Sequence, residues 1–158
     1  MGKEQLIGAS KTRKDAWGKV SGLTRYIGDL EIETLVGMVK RSPHHHARLT
    51  MLDTRKAEKT PGVVKILTAE DVPGEKTFGP LIPDRPVLAD DVVRHMGEPV
   101  ALVLAETKTA ARQAVERIQV QYQPLEAVFD ARKALGESAP QIHPQGNLAA
   151  EYLVSDGD

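Results

Sequence analysis

Pro99-Val100-Ala101-Leu102-Val103-Leu104-Ala105, followed after Glu106 by Thr107-Lys108-Thr109-Ala110-Ala111-Arg112-Gln113-Ala114-Val115-Glu116-Arg117-Ile118, decides the fold of this 158-residue chain. The first run has no polar face, which predicts a central strand buried on both sides. In the second, Ala110, Ala111, Ala114, Val115 and Ile118 form one apolar stripe at helical spacing. Arg112, Gln113, Glu116 and Arg117 take the opposite face, and Thr107 is placed to cap the helix. Val120 and Tyr122 then alternate with Gln119, Gln121 and Gln123, the pattern of a half-buried strand ended by Pro124-Leu125. Val100–Tyr122 thus reads as a strand–helix–strand unit, right-handed in its crossover if the strands are parallel.

Toward the N-terminus, Gly97-Glu98 predicts a turn, with φ > 0 at Gly97, back to a strand at Val92-Val93. Residues 73–86 hold four prolines and two glycines, a density that predicts a long exposed loop without regular structure. Val63-Val64-Lys65-Ile66-Leu67 is a β-branched strand, and Thr68–Asp71 a short helical turn closed by Pro73-Gly74. Thr54–Lys59 suits a short helix with Asp53 or Thr54 as cap, and Arg48–Asp53 a strand of partial alternation. Leu35–Val39 is an apolar strand ending at Ser42-Pro43. Upstream, Asp15–Val20 could make one helical turn with Trp17 and Val20 packed inward and Gly22 stopping it, and Gly28-Asp29 a turn. Downstream, Asp130–Leu135 is a final short helix capped by Asp130 and stopped by Gly136. Residues 136–158 read as an extended tail or linker. The chain is expected to comprise an N-terminal extension (1–34), a core (35–135) and that tail (136–158).

Length fits one domain. Hydrophobic residues make up 41% and charged residues 27%, enough for a packed core and against wholesale disorder. The net charge is -1 with cations spread along the chain, which argues against nucleic-acid binding by a basic stripe. There is no Cys, so disulfides, thiolate catalysis, thiolate zinc sites and iron–sulfur ligation by these residues are excluded. No signal peptide or membrane span is visible, and Met1-Gly2 opens a myristoylation-like start that Leu6 spoils. The expected location is the cytoplasm.

Candidate chemistry is sparse. His44, His45 and His46 could hold a metal, since His44 and His46 share a side of an extended segment. The alternative is a turn with one packed, hydrogen-bonded histidine and two exposed ones. Asp90-Asp91 and Glu70-Asp71 are carboxylate pairs, more often solvated caps than acid–base machinery. Neither G-x-G-x-x-G, a phosphate loop nor G-x-S-x-G occurs. Lys40 invites comparison with biotinyl or lipoyl carriers, which present a modified lysine at a hairpin tip, yet here it falls inside a strand pattern. No catalytic, cofactor-binding or metal residue is therefore assigned.

Several stretches, in order, resemble one family. Arg13, Asp15-Ala16 and Lys19-Val20-Ser21-Gly22 look like R-x-D-A-x-x-K-V-T-G; Tyr26 and Asp29-Leu30 resemble Y-x-x-D-L. Arg41-Ser42-Pro43-His44-His45-His46-Ala47-Arg48 is similar to R-S-P-x-A-H-A-R. Asp53, Ala57 and Pro61-Gly62-Val63, then Thr68-Ala69-Glu70-Asp71-Val72-Pro73-Gly74, continue the series. Leu88-Ala89, Gly97-Glu98-Pro99-Val100-Ala101, Tyr122-Gln123-Pro124-Leu125, His143, Asn147 and Gly157-Asp158 complete it. The resemblance is to the N-terminal α/β-hammerhead domain of the molybdenum-binding chain of xanthine dehydrogenases and aldehyde oxidases. His45 and Ser21 depart from the pattern, and residues 75–86 match none of it.

That resemblance implies an α+β hammerhead: a mixed sheet, one main amphipathic helix and short helices. It implies a structural turn at His46, with His44 and His45 incidental. Family members hydroxylate purines, aldehydes or N-heterocycles with a molybdenum–pterin cofactor, iron–sulfur clusters and usually FAD, all held outside the segment matched here. The expected role is a non-catalytic scaffold whose partners are molybdopterin-binding domains or a subunit, with iron–sulfur and FAD subunits. On that basis the chain is a separately encoded piece, a truncated product or an excised piece. A stand-alone ligand-binding or carrier module, and metal sensing through His44–His46, are the alternatives.

Overall fold

The computed structural model describes residues 7–30, 32–80 and 82–157. Met1-Gly2, Leu6 and Asp158, which bear on the N-terminal and closing readings, lie outside them. Two units separate at residue 33.

In the first unit, α1 (Ala16–Val20) is followed by a tight single turn at Ile27–Asp29. Asp15 pairs with Lys19 at 2.7 Å and with Arg13 at 2.9 Å, and these cations hold its carboxyl below the usual range. Asp29 accepts the Tyr26 amide at 2.9 Å, making the Gly28-Asp29 turn. Trp17 and Val20 do not pack inward; they are 75% and 80% exposed. Five helical residues present too narrow a stripe to close a core alone, and no described residue of this unit is buried.

The second unit contains β1 (Val36–Arg41), β2 (Ala47–Asp53), α2 (Arg55–Glu58), β3 (Val63–Leu67), β4 (Thr77–Phe78), β5 (Arg85–Pro86), β6 (Val92–Val93), β7 (Pro99–Ala105), α3 (Lys108–Arg117), β8 (Gln119–Pro124) and α4 (Ala131–Ala134). This is the expected α+β set with one main helix and short ones. The strands divide over two three-stranded sheets, ordered β1-β7-β3 and β6-β2-β8, and a β4-β5 ribbon, and the ladders are antiparallel. β7 and β8 therefore do not share a sheet, and α3 is not a parallel crossover. The reason is geometric: β1 and β3 occupy both edges of β7, so the chain leaving α3 pairs with β2 instead.

β7 supplies both cores through its period of two. Ala101, Val103 and Ala105 face Ala110, Ala111, Ala114 and Ile118 in a cluster that also takes in Ala57 and Ile66. Val100 joins Ala47, Ala89 and Val93 in the second cluster, and Val120 packs against both. Leu102 and Leu104 are only half-buried, so β7 is central but covered completely on one side alone. Burying Val103 contributes on the order of 1.5–3 kcal/mol. The alanines of α3 let the helix approach the sheet closely.

Local chemistry ends the elements as their residues demand. Thr107 accepts the Ala110 amide at 3.1 Å at the start of α3. Lys40 reaches from β1 to donate its Nζ to the Val115 carbonyl at 3.0 Å, a cation at the negative end of the helix. Asp130 accepts the Arg132 and Lys133 amides at 2.8 and 2.9 Å to start α4. Asp53 accepts the Arg55 amide and guanidinium, which holds its carboxyl at about 2. An irregularity between Leu49 and Met51 explains the partial alternation of β2, and Thr50 donates its hydroxyl to the Gln121 carbonyl there at 3.2 Å.

Two proline-rich segments are more ordered than their composition predicts. The 73–86 loop folds on itself as the β4-β5 ribbon, with the Arg85 guanidinium 6.0 Å over the Phe78 ring. Gly79 makes this possible, because a Cβ there would run into the Ile82 carbonyl. Residues 136–147 are not a free tail. Asn147 accepts the Ile142 amide at 2.8 Å and donates to the Ala134 and Pro140 carbonyls at 2.8 and 3.0 Å. Arg94 donates to the Ile142 carbonyl at 3.1 Å. One amide side chain thus adds to the segment's own turn hydrogen bonds and ties it to the end of α4.

Gly97 has φ +88 and donates its amide to the Ser42 carbonyl at 2.8 Å. A Cβ there would meet nothing, so the cost of a side chain is backbone strain alone. Gly97→Val is expected to destabilise by about 1 kcal/mol or more, read from the urea midpoint. An unchanged midpoint would remove the left-handed turn from this description.

Candidate functional site

Of the residues quoted for possible chemistry, Lys40 and the three histidines lie at the end of β1 and in its connection to β2, while the carboxylate pairs lie after β3 and before β6. Ser42 is buried; its amide donates to the Glu98 carbonyl at 2.9 Å, and its hydroxyl accepts the His44 amide at 3.1 Å. The three histidines then diverge. His46 is buried with Nδ1 2.6 Å from the Glu126 carbonyl. A carbonyl only accepts, so the proton sits on Nδ1. The His46 carbonyl in turn accepts the Leu125 amide at 2.9 Å. His44 lies against Tyr122 with ring centroids 4.8 Å apart, and His45 meets the edge of Phe129 at 4.9 Å. Three imidazoles with three different partners do not make one ligand set, and the described residues hold no group of three His, Asp or Glu suited to a metal. His46 is the packed, hydrogen-bonded member of the trio; His44 and His45 are aromatic contacts and not merely incidental.

Three of the four carboxylates in the acidic pairs are occupied as well. Asp91 accepts Arg48 at 2.9 Å, and Asp90 lies 3.6 Å from Lys76. Asp71 accepts the Thr68 amide at 2.8 Å, which together with the Thr68 hydroxyl and Lys65 holds its carboxyl below the usual range. These are caps and surface pairs. Lys40 lies inside β1 with its ammonium spent on the end of α3, so it is not displayed as a carrier lysine would be.

A groove of about 730 Å³ opens beside this cluster, lined by Lys40, Arg41 and His44 from the end of β1 and its turn, and by Gln119, Gln121 and Tyr122 of β8. Burial pushes the Tyr122 phenol up, with the neighbouring Ser42 hydroxyl working against it. The phenol oxygen is shut off from solvent without a hydrogen bond of ordinary geometry. Tyr122→Phe should therefore hold stability within about 1 kcal/mol or raise it. A larger loss on thermal melting would show that the hydroxyl is satisfied after all.

Comparison with known proteins now bears on these features. The family described as "Aldehyde oxidase and xanthine dehydrogenase, a/b hammerhead domain" matches residues 21–126. The chain belongs to this family. This hammerhead domain is 43% identical to a probable xanthine dehydrogenase subunit of Bacillus subtilis over 94% of its own length and 20% of that protein's. It is 37% identical to the nicotinate dehydrogenase large molybdopterin subunit of Eubacterium barkeri over its whole length and 38% of that subunit's. The crystal structure of the aldehyde oxidoreductase of Desulfovibrio desulfuricans superposes with a TM-score of 0.77 at 30% identity, covering 90% of this chain and 17% of that one. The hammerhead chain thus spans about a fifth of the first relative and of that solved structure.

The hammerhead has no cysteine. Its buried polar side chains, Ser42, His46, Thr60 and Glu98, are all engaged within the chain. Glu98 was legible only as a turn residue, yet it is a buried carboxylate that accepts the Arg94 amide and has His95 Nδ1 4.0 Å away. A signal existed in its position: a carboxylate between a left-handed glycine and an apolar strand can reach back to cap its own turn.

Proposed function

We propose that this hammerhead is the non-catalytic scaffold portion of a molybdenum hydroxylase, supporting larger molybdopterin-binding domains or a subunit. The observation that carries this reading is the engagement of the buried residues Ser42, His46, Thr60 and Glu98 within the fold itself, with no assembled acid, base, nucleophile or ligand set among the described residues. Exposed apolar side chains such as Phe129, Leu135, Tyr152, Leu153 and Val154 add to it, since apolar surface left in water marks contact with further protein. For the parent enzyme we propose the reaction class that the family resemblance implies, oxidative hydroxylation of a purine, aldehyde or N-heterocycle. The parent enzyme is proposed to use molybdopterin, iron–sulfur clusters and FAD, to include iron–sulfur and FAD subunits as partners, and to work in the cytoplasm. Among the described residues no helix is long and apolar enough to cross a membrane. We take 1–34 as an extension, 35–135 as the core and 136–158 as the connection onward.

The test is direct. The purified chain, expressed in a host that makes the molybdenum cofactor, should carry no stoichiometric molybdenum by elemental analysis. It should also show no oxidation of hypoxanthine or an aldehyde with an artificial electron acceptor. Stoichiometric metal or turnover by the chain alone would overturn the scaffold reading.

A further inference from the structure

We propose that the groove between the end of β1 and β8 receives an extended, acidic segment of a partner polypeptide, which adds along the open edge of β8. This deepens the scaffold reading by naming how a partner would dock, and rests on it. Two observations support it. The first is the hydrogen-bond topology. Among the described residues β8 pairs only with β2, and β1 only with β7, so each leaves one edge without a strand, and both strands line the groove. An open strand edge presents a row of N–H and C=O groups that recruits an extended peptide unless charge, proline or a covering element blocks it. β8 carries no charged residue, and its proline falls at its last position, Pro124.

The second observation is charge. Lys40 and Arg41 line the groove, and no Asp or Glu does. Lys40 donates to the Val115 carbonyl at the end of α3 and Arg41 to the Gly97 carbonyl, and neither is in an ion pair among the described residues. Elsewhere in the second unit Arg48, Arg55, Lys65 and Lys76 do face carboxylates. Positive charge without a carboxylate partner, beside an open strand edge, selects a strand that carries carboxylates. Alternate side chains of an added strand point to the same side, so carboxylates at every second position would give it one acidic face. The intervening residues, on the other side, are free to be apolar. Gln119 and Gln121, exposed on β8, have amides that both donate and accept.

The experiment titrates the isotope-labelled full chain with a synthetic peptide of about ten alternating Glu and Val residues, following backbone amide shifts by NMR. The same repeat with Lys in place of Glu is the control. Saturable shifts centred on Gln119–Gln123 are expected for the acidic peptide and not for the basic one. Arg41→Glu should weaken binding by at least about tenfold, because a like charge then faces the carboxylates. Gln119→Glu, on β8, should do the same, so a folding defect in one variant leaves the other to decide. No saturable shift at millimolar acidic peptide, equal binding of the basic peptide, or shifts confined elsewhere would overturn the proposal. The scaffold reading would stand through such a failure, since its own test measures molybdenum content and turnover.

Discussion

Replacing Ala114 by glutamate should cost the second unit on the order of 3–5 kcal/mol, the price of leaving a buried charge without a partner. Ala114 is fully buried on α3, in a cluster formed by Ala101, Val103, Ala105, Ala111 and Ile118. None of these side chains offers a hydrogen bond, and the close helix–sheet approach leaves no room for water to follow the carboxylate. A domain of this size is stable by only ~5–15 kcal/mol, so the variant should melt far below the parent or fail to fold. Ala114→Gly is the uncharged comparison: it costs about 1 kcal/mol in helix propensity together with the packing of one buried methyl group. A glutamate variant with an unchanged urea midpoint would mean that α3 turns another face to β7.

His46→Leu should lose about 1–3 kcal/mol. The substitution keeps an apolar body of similar reach but removes the Nδ1 proton, so the Glu126 carbonyl loses its donor. The effect is expected to be local as well as global. Amides from Leu125 to Asp130 should exchange faster with solvent, because His46 ties this segment to β2 by both its ring and its carbonyl. His46→Asn is the conservative partner: its amide can place an N–H near the position of Nδ1 and should recover part of the loss. If leucine is as stable as histidine and exchange is unchanged, the ring is packing and nothing more.

These variants also mark where the chain could be read in one dimension. Thr107 and Asp130 were legible as caps, and Ala114 as a core residue, because capping and amphipathic spacing act within a few residues and survive into the fold. Gly97 was legible for the same reason: its neighbours demand a turn that only glycine makes cheaply. Trp17 and Val20 misled because a short apolar stripe says that a face could be buried, not that anything covers it. The order in residues 73–86 and 136–147 escaped because it rests on Arg85 over Phe78 and on Asn147, single side chains whose partners no periodicity announces.

For the candidate site the division is similar. The ordered series of short motifs named the family, and the lack of cysteine, phosphate loop and nucleophile motif removed whole classes of chemistry. What the three histidines do was open until their partners were visible, since adjacent residues of one type have no local reason to differ.

By itself, then, the amino-acid order determined the α+β class, the strand–helix–strand run from Pro99 to Pro124, its caps and the hammerhead membership, all properties carried by spacing and local hydrogen bonding. Only the tertiary structure decided that β7 and β8 belong to different sheets, that Glu98 and His46 are buried in the connections, and that, among the described residues, two strand edges without a partner strand border a groove lined by Lys40 and Arg41. Strand partners are chosen by which edges are already filled, and that competition is between residues far apart in the chain.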